Sequence, residues 1–141
     1  MSWHEKASVT GLSIGDIVLS YDITQDTIVE AEIIDSVEEF YSDGHETFHI
    51  SVGDERNIKT IKRIKLTIFH ILPYYRGGEL IEDNSGTVEV GDELITIEED
   101  ELSIVLRKVI SIEEGVTDNQ VVYHPKSSNG YYFVNRILLH D

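Results

Sequence analysis

A chain of 141 residues and 16.0 kDa, 40% hydrophobic and 27% charged, is one domain's worth of polypeptide, able to bury about two-thirds of its unfolded surface in a single core. Its 27 acidic against 11 basic residues leave a net charge of −16, which repels nucleic-acid phosphates and anionic membranes and sets both aside as partners. Cysteine is absent, which excludes disulfides, thiolate metal sites and thiol nucleophiles, and no apolar run approaches the ~20 residues of a membrane span. The expectation is a soluble, cytoplasmic, acidic monomer.

Residues 1–7 hold the single Met and the single Trp and precede any patterned segment. They read as a flanking stretch, so the folded domain is expected over 8–141. From Leu12 onward the pattern is that of strands. Apolar and polar residues alternate in Ile17–Tyr21, Thr27–Ile33 and Thr47–Val52, with Val, Ile, Thr, Tyr and Phe frequent. Turn residues separate these runs: Gly15-Asp16, Ser42-Asp43-Gly44, Gly53-Asp54, Gly77-Gly78, Gly91-Asp92 and Asn129-Gly130. Val37–Phe40 suits either a helical turn or the end of a long strand. No segment keeps a helical period for long, so the predicted class is all-β.

The chain also repeats itself. Residues 14–22 read IGDIVLSYD and residues 90–98 read VGDELITIE, an offset of 76 (90 − 14). Ile33–Glu39 then matches Val109–Glu114 near an offset of 75 with one gap, and Phe48-His49 matches Tyr123-His124, again at 75. Each half is read as ending on a strand that closes with a histidine, His70 and His140. Several matches in one order at nearly one offset point to a duplication and to pseudo-two-fold symmetry.

Ser8-Val9-Thr10-Gly11 resembles the opening motif of inteins, especially those of B-family DNA polymerases in which Ser replaces Cys. Residues 13–22 resemble the hairpin that follows, and Leu66–His70 is similar to the Thr-x-x-His motif. Val90–Leu94 resembles the second Gly-Asp hairpin. Val121–Tyr123, followed by Tyr131–Asp141, resembles the C-terminal motifs that usually close on His-Asn. The resemblance covers residues 8–141 and implies the Hint (hedgehog/intein) fold, a horseshoe-like β domain, here without a homing endonuclease. Four positions depart from the pattern: Leu12 after Gly11, Phe69 before His70, His124 where a carboxylate is common, and Asp141 in place of Asn.

The resemblance implies self-catalysed protein splicing that begins with an N–O acyl shift at Ala7-Ser8. A serine hydroxyl is a weak nucleophile, so the site must accept its proton, stabilise the tetrahedral oxyanion and protonate the leaving amine. His70 suits the proton transfer because imidazole titrates near neutrality, and Thr67, three residues earlier, is placed to donate to the oxyanion. His140 matches the residue that assists release of the C-terminal flank. His124 falls at a family position near the scissile bond. Asp141 lacks the amide nitrogen on which ordinary succinimide formation depends; it fits either slow anhydride-type cleavage or a trapped precursor. The implied partners are the flanking sequences in cis, or a complementary fragment if the domain is split.

No cofactor is implied. His45 and His49 lie four apart, but without Cys or a third ligand they do not read as a metal site. Arg56, Lys59, Lys62, Arg63 and Lys65 place five basic residues within ten positions. They read better as a charged ribbon offsetting an acidic body than as a nucleic-acid patch; in a split domain they would steer association of the fragments. Two other functions remain open: a Hint domain that cleaves without ligating, as in hedgehog-type proteins, and a non-catalytic acidic β domain that binds a partner.

Overall fold

The computed structural model describes residues 13–41, 45–67, 70–117 and 120–141. Among these the chain forms eleven strands: β1 (Ile17–Asp22), β2 (Thr27–Tyr41), β3 (His45–Asp54), β4 (Asn57–Thr67), β5 (Ile71–Arg76), β6 (Glu79–Asn84), β7 (Glu93–Ile97), β8 (Ile104–Thr117), β9 (Gln120–Ser127), β10 (Tyr131–Val134) and β11 (Ile137–His140). A short 3₁₀ turn, Ser85–Thr87, follows β6. Val37–Phe40 is strand, part of β2. The strands form a three-stranded sheet, β1-β2-β9, and a larger one ordered β10-β11-β5-β7-β8-β3-β4, with β6 beside β5.

The duplication seen in sequence recurs hydrogen bond by hydrogen bond. In the first half the Asp16 N–H donates to Ser13 O at 3.0 Å while the Asp16 carboxylate accepts from the Ser13 N–H at 2.9 Å. In the second, the Asp92 N–H donates to Glu89 O at 3.1 Å and its carboxylate accepts from the Glu89 N–H at 2.7 Å. The two turns need a left-handed residue between, and Gly15 and Gly91 supply it at φ +95° and +98°. Gly15 then donates to Ile33 O at 2.8 Å, as Gly91 does to Val109 O at 2.9 Å. The hairpins keep one register: Ile17 faces Glu32 and Tyr21 faces Ile28, while Glu93 faces Lys108 and Ile97 faces Ile104, each residue shifted by 76 (93 − 17).

The long strands exchange partners between the halves. Beyond its hairpin β2 pairs with β9, and β8 pairs with β3; Val37 faces His124, and the equivalent Glu113 faces His49. Each exchange starts at a bulge. The register slips past Ile34 in β2 and past Ile110 in β8, positions again 76 apart (110 − 34). An extra residue bends a strand and increases its twist, so each long strand turns from its own half toward the other.

The central strands are buried on both faces. Val18, Leu94, Tyr132, Val134, Ile137 and Leu139 join one apolar cluster, and their chain neighbours Leu19, Ile95, Phe133 and Leu138 join the other. Successive strand side chains point to opposite faces, so strands that feed two cores read as unbroken apolar runs, as Tyr131–Val134 and Ile137–Leu139 do. The basic cluster lies on β4 and the turn before it, at one edge of the larger sheet. There Lys62 pairs with Glu99 at 3.1 Å and Arg56 with Asp54 at 3.4 Å, while nearby Arg107 pairs with Glu98 at 2.7 Å. Cations along an edge strand also discourage edge-to-edge pairing between molecules.

Candidate functional site

Thr67 is the last residue of β4 and is buried. His70 stands in a bend, and its N–H donates to Thr67 O at 3.1 Å. His70 is also buried, at 6% exposure. It stands in this bend before β5 rather than at the end of a strand, so of the two histidines expected to close strands, His140 alone does so. Ser85 clamps the bend. Its hydroxyl donates to Thr67 O at 2.8 Å and its N–H donates to His70 O at 2.9 Å, with the side chain sealed at 1% exposure. The Thr67 carbonyl is therefore doubly satisfied, but the Thr67 hydroxyl is not: Oγ1 is buried with no hydrogen-bond partner among the described residues. A buried hydroxyl left unpaired costs about 1–3 kcal/mol, which singles this atom out.

The bend meets the C-terminal strand directly. Ile71, next to His70, pairs with His140 of β11. The His140 Nδ1 lies 2.8 Å from the Asp141 carbonyl oxygen. Its ring stands edge-on to Tyr131, with centroids 4.6 Å apart at 85°. The Tyr131 hydroxyl donates to Glu82 on β6; burial and that carboxylate both hold its phenol protonated well above the usual range.

Asp141 is held at backbone and side chain. Its N–H donates to Gly130 O at 2.9 Å, and its Oδ2 accepts from the Ser127 N–H at 2.8 Å. Burial pushes the neighbouring Tyr132 phenol up, and the Asp141 charge adds to the shift. Ser127 faces Ile33 across β2–β9, and Ile33 O accepts from Gly15 in the first Gly-Asp turn. The start of the first hairpin and residue 141 therefore meet at one bulge.

Of the residues expected from sequence, Thr67, His70 and His140 thus lie on adjoining backbone, through the His70–Thr67 turn and the Ile71–His140 pairing, with Asp141 next to His140 in the chain. Ala7 and Ser8 lie outside the described residues. His124 stands on β9 opposite Val37, and its side chain is outside what is described. Ser85, Tyr131 and Ser127 were not singled out. A serine after an exposed strand carries no signal of a clamp, an aromatic in an apolar run reads as core, and Ser127 acts through its backbone N–H.

No family model matches the sequence, and no curated protein matches it. Solved structures do. The PabCDC21-1 intein superposes with a TM-score of 0.75 at 20% identity, covering 90% of this chain and 70% of that one. The bacterial intein-like domain from Clostridium thermocellum gives 0.69 at 20% identity over 94% and 86%. The gp41-1 intein gives 0.62 at 24% identity over 94% and 84%. With its duplicated hairpins, exchanged long strands and all-β architecture, the chain has the Hint fold of inteins and intein-like domains.

Proposed function

We propose that residues 8–141 form a cysteine-less protein-splicing domain of the kind whose first step passes through an oxygen ester, as in serine-initiated inteins of B-family DNA polymerases. The observation that carries this reading is the buried Thr67 hydroxyl, unpartnered among the described residues, in a bend whose far end abuts His140, the neighbour of Asp141. Ser8 lies only five residues before the Ser13 turn tied to that region. An unpaired buried donor is what a developing oxyanion requires.

In the first step Ser8 Oγ attacks the Ala7 carbonyl carbon. A C–O bond forms and the peptide C–N bond breaks. His70 takes the hydroxyl proton and returns it to the leaving Ser8 amine, while Thr67 donates to the oxyanion. The flanking sequences act in cis as the substrate. At the other end the side chain of residue 141 closes on its own carbonyl carbon in a five-membered ring. His140, whose Nδ1 lies 2.8 Å from the Asp141 backbone oxygen, is the residue placed to pass a proton to the departing amine. With Asn the ring is a succinimide. With Asp141 the attacking atom is a carboxylate oxygen, the ring is an anhydride that water reopens, and release is slow. Asp141 therefore favours a second reading, cleavage without ligation, in the form of the sequence as it stands.

The test places residues 8–141 between two reporter proteins, with Asp141→Asn and a Ser after it, and follows products by mass spectrometry. Ligated reporters are expected. Ser8→Ala should abolish release at Ala7–Ser8, and His70→Ala should slow it about 10²- to 10⁴-fold. Cleavage without ligation would select the second reading. A precursor that stays intact, or Ser8→Ala cleaving as fast as the parent, refutes the mechanism and leaves a binding domain on the same fold.

A further inference from the structure

The turn between β9 and β10 is fastened to the opposite end of the chain. Ser20 on β1 and Ser127 on β9 are both buried, and both hydroxyls address the same two acceptors. Ser20 Oγ lies 3.0 Å from Asn129 Oδ1 and 2.7 Å from Tyr131 O; Ser127 Oγ lies 3.1 Å and 2.7 Å from the same atoms. Two hydroxyl protons thus serve two acceptors, one each. Asn129 Oδ1 also accepts from the Tyr131 N–H at 3.2 Å, and the Gly130 N–H donates to Ser127 O at 3.2 Å. Gly130 sits at φ +86°, and a β-carbon there would come within 3.8 Å of Asp141 Oδ1. The turn is therefore a rigid cradle with residue 141 in it, joined through Ser20 to the hairpin near the N-terminal motif.

We infer that this turn positions the side chain of residue 141, and that the Ser127 N–H selects which of its atoms is left to react. The inference rests on the splicing reading above. A backbone N–H can only donate, so it takes an oxygen acceptor. In Asp141 that is Oδ2, which leaves Oδ1 beside Gly130. With Asn at 141 the side-chain oxygen takes the same donor, and the amide nitrogen is turned into the place of Oδ1. The amide is then sorted before it reacts: its oxygen is anchored and its nitrogen is free to close the ring. Asn129 and Ser20 touch neither reacting atom. They act by holding the donor in place, as positioning residues.

Two measurements test this. In the chain as it stands, the Ser127 amide resonance should follow the titration of the Asp141 carboxyl and cease to do so in Asp141→Asn, while remaining downfield. A Ser127 amide indifferent to pH in the parent overturns the inference. In the reporter fusion carrying Asp141→Asn, Asn129→Ala should slow C-terminal release on the order of tenfold to a hundredfold. It should leave hydroxylamine release of the N-terminal flank unchanged, and Asn129→Asp, which keeps the acceptor, should restore most of the rate. Equal slowing at both ends, no slowing, or no rescue by Asp would each count against the cradle. If the parent fusion releases neither flank, the splicing reading falls, and the resonance titration still decides whether the cradle exists.

Discussion

On the splicing reading proposed above, Thr67 is the residue on which stability and chemistry pull apart. Its hydroxyl is buried with no partner among the described residues, so in the resting fold it is a cost. Valine has the same branched shape without the polar atom and suits a strand equally. Thr67→Val is therefore expected to stabilise the fold by about 1 kcal/mol and to slow the acyl shift at Ser8 about 10²- to 10³-fold, the usual effect of losing one oxyanion donor. Urea unfolding and hydroxylamine release of the N-terminal flank measure the two effects. Loss of stability without loss of rate would mean that the hydroxyl has a structural partner. The sequence names Thr67 and His70 as a pair because their spacing carries a motif. It is silent on Ser85, whose contribution is to hold two carbonyls of the bend in place. A clamp of that kind depends on which strands happen to adjoin, and no local pattern encodes it.

At the scale of the element, the two Gly-Asp turns have the same backbone and different surroundings. The Asp92 side chain is 4% exposed and takes a two-point contact from Arg76, Nε to Oδ1 at 2.9 Å and Nη2 to Oδ2 at 2.8 Å. The guanidinium also reaches Thr87 O at 3.0 Å and lies over the Tyr74 ring at 5.4 Å. Asp16 keeps the contact to its own turn and lies closer to solvent. The Arg76 contact, aided by the Glu89 N–H, holds the Asp92 carboxyl below the usual carboxylate range. A carboxyl depressed in the folded state adds stability that is fully present above its unfolded value, near 4, and is lost as pH falls through the folded value. Asp92→Asn is expected to cost about 1–2 kcal/mol at neutral pH, the low end for a charged hydrogen bond because Arg76 is partly exposed. The difference from the parent should shrink as pH drops below about 4. Asp16→Asn should cost well under about 1 kcal/mol at neutral pH. Equal losses at Asp16 and Asp92, read from urea midpoints across pH, would show that the ion pair contributes nothing. The repeat made both turns legible in the sequence, since Gly-Asp at an offset of 76 is visible there. It did not distinguish them, because Arg76 belongs to neither copy of the motif.

Across the whole molecule, two equivalent halves can be read from the sequence, but not which strand pairs with which. An offset of 76 fits two hairpins side by side as well as two halves that trade strands. What decides is the bulge at Ile34 and at Ile110, and a bulge is one residue of slippage that alternation barely registers. The charge map is similar. The basic run on β4 stands out in the sequence, while Glu99, the acidic partner of Lys62, lies thirty-seven positions away and becomes its neighbour only through the sheet. The strand exchange has a consequence for ancestry. A first half alone, residues 8–77, carries β2 beyond its bulge without β9, and β3 with β4 on one side but without β8 on the other. Because the halves share one register, each open strand edge of one copy would find its match on a second copy, β2 on β3 in both directions, as an isologous pair. Residues 8–77 expressed alone should therefore sediment as a dimer or associate further, and a folded monomer would contradict this. The chain would then be a fused dimer, two copies that one polypeptide has allowed to diverge.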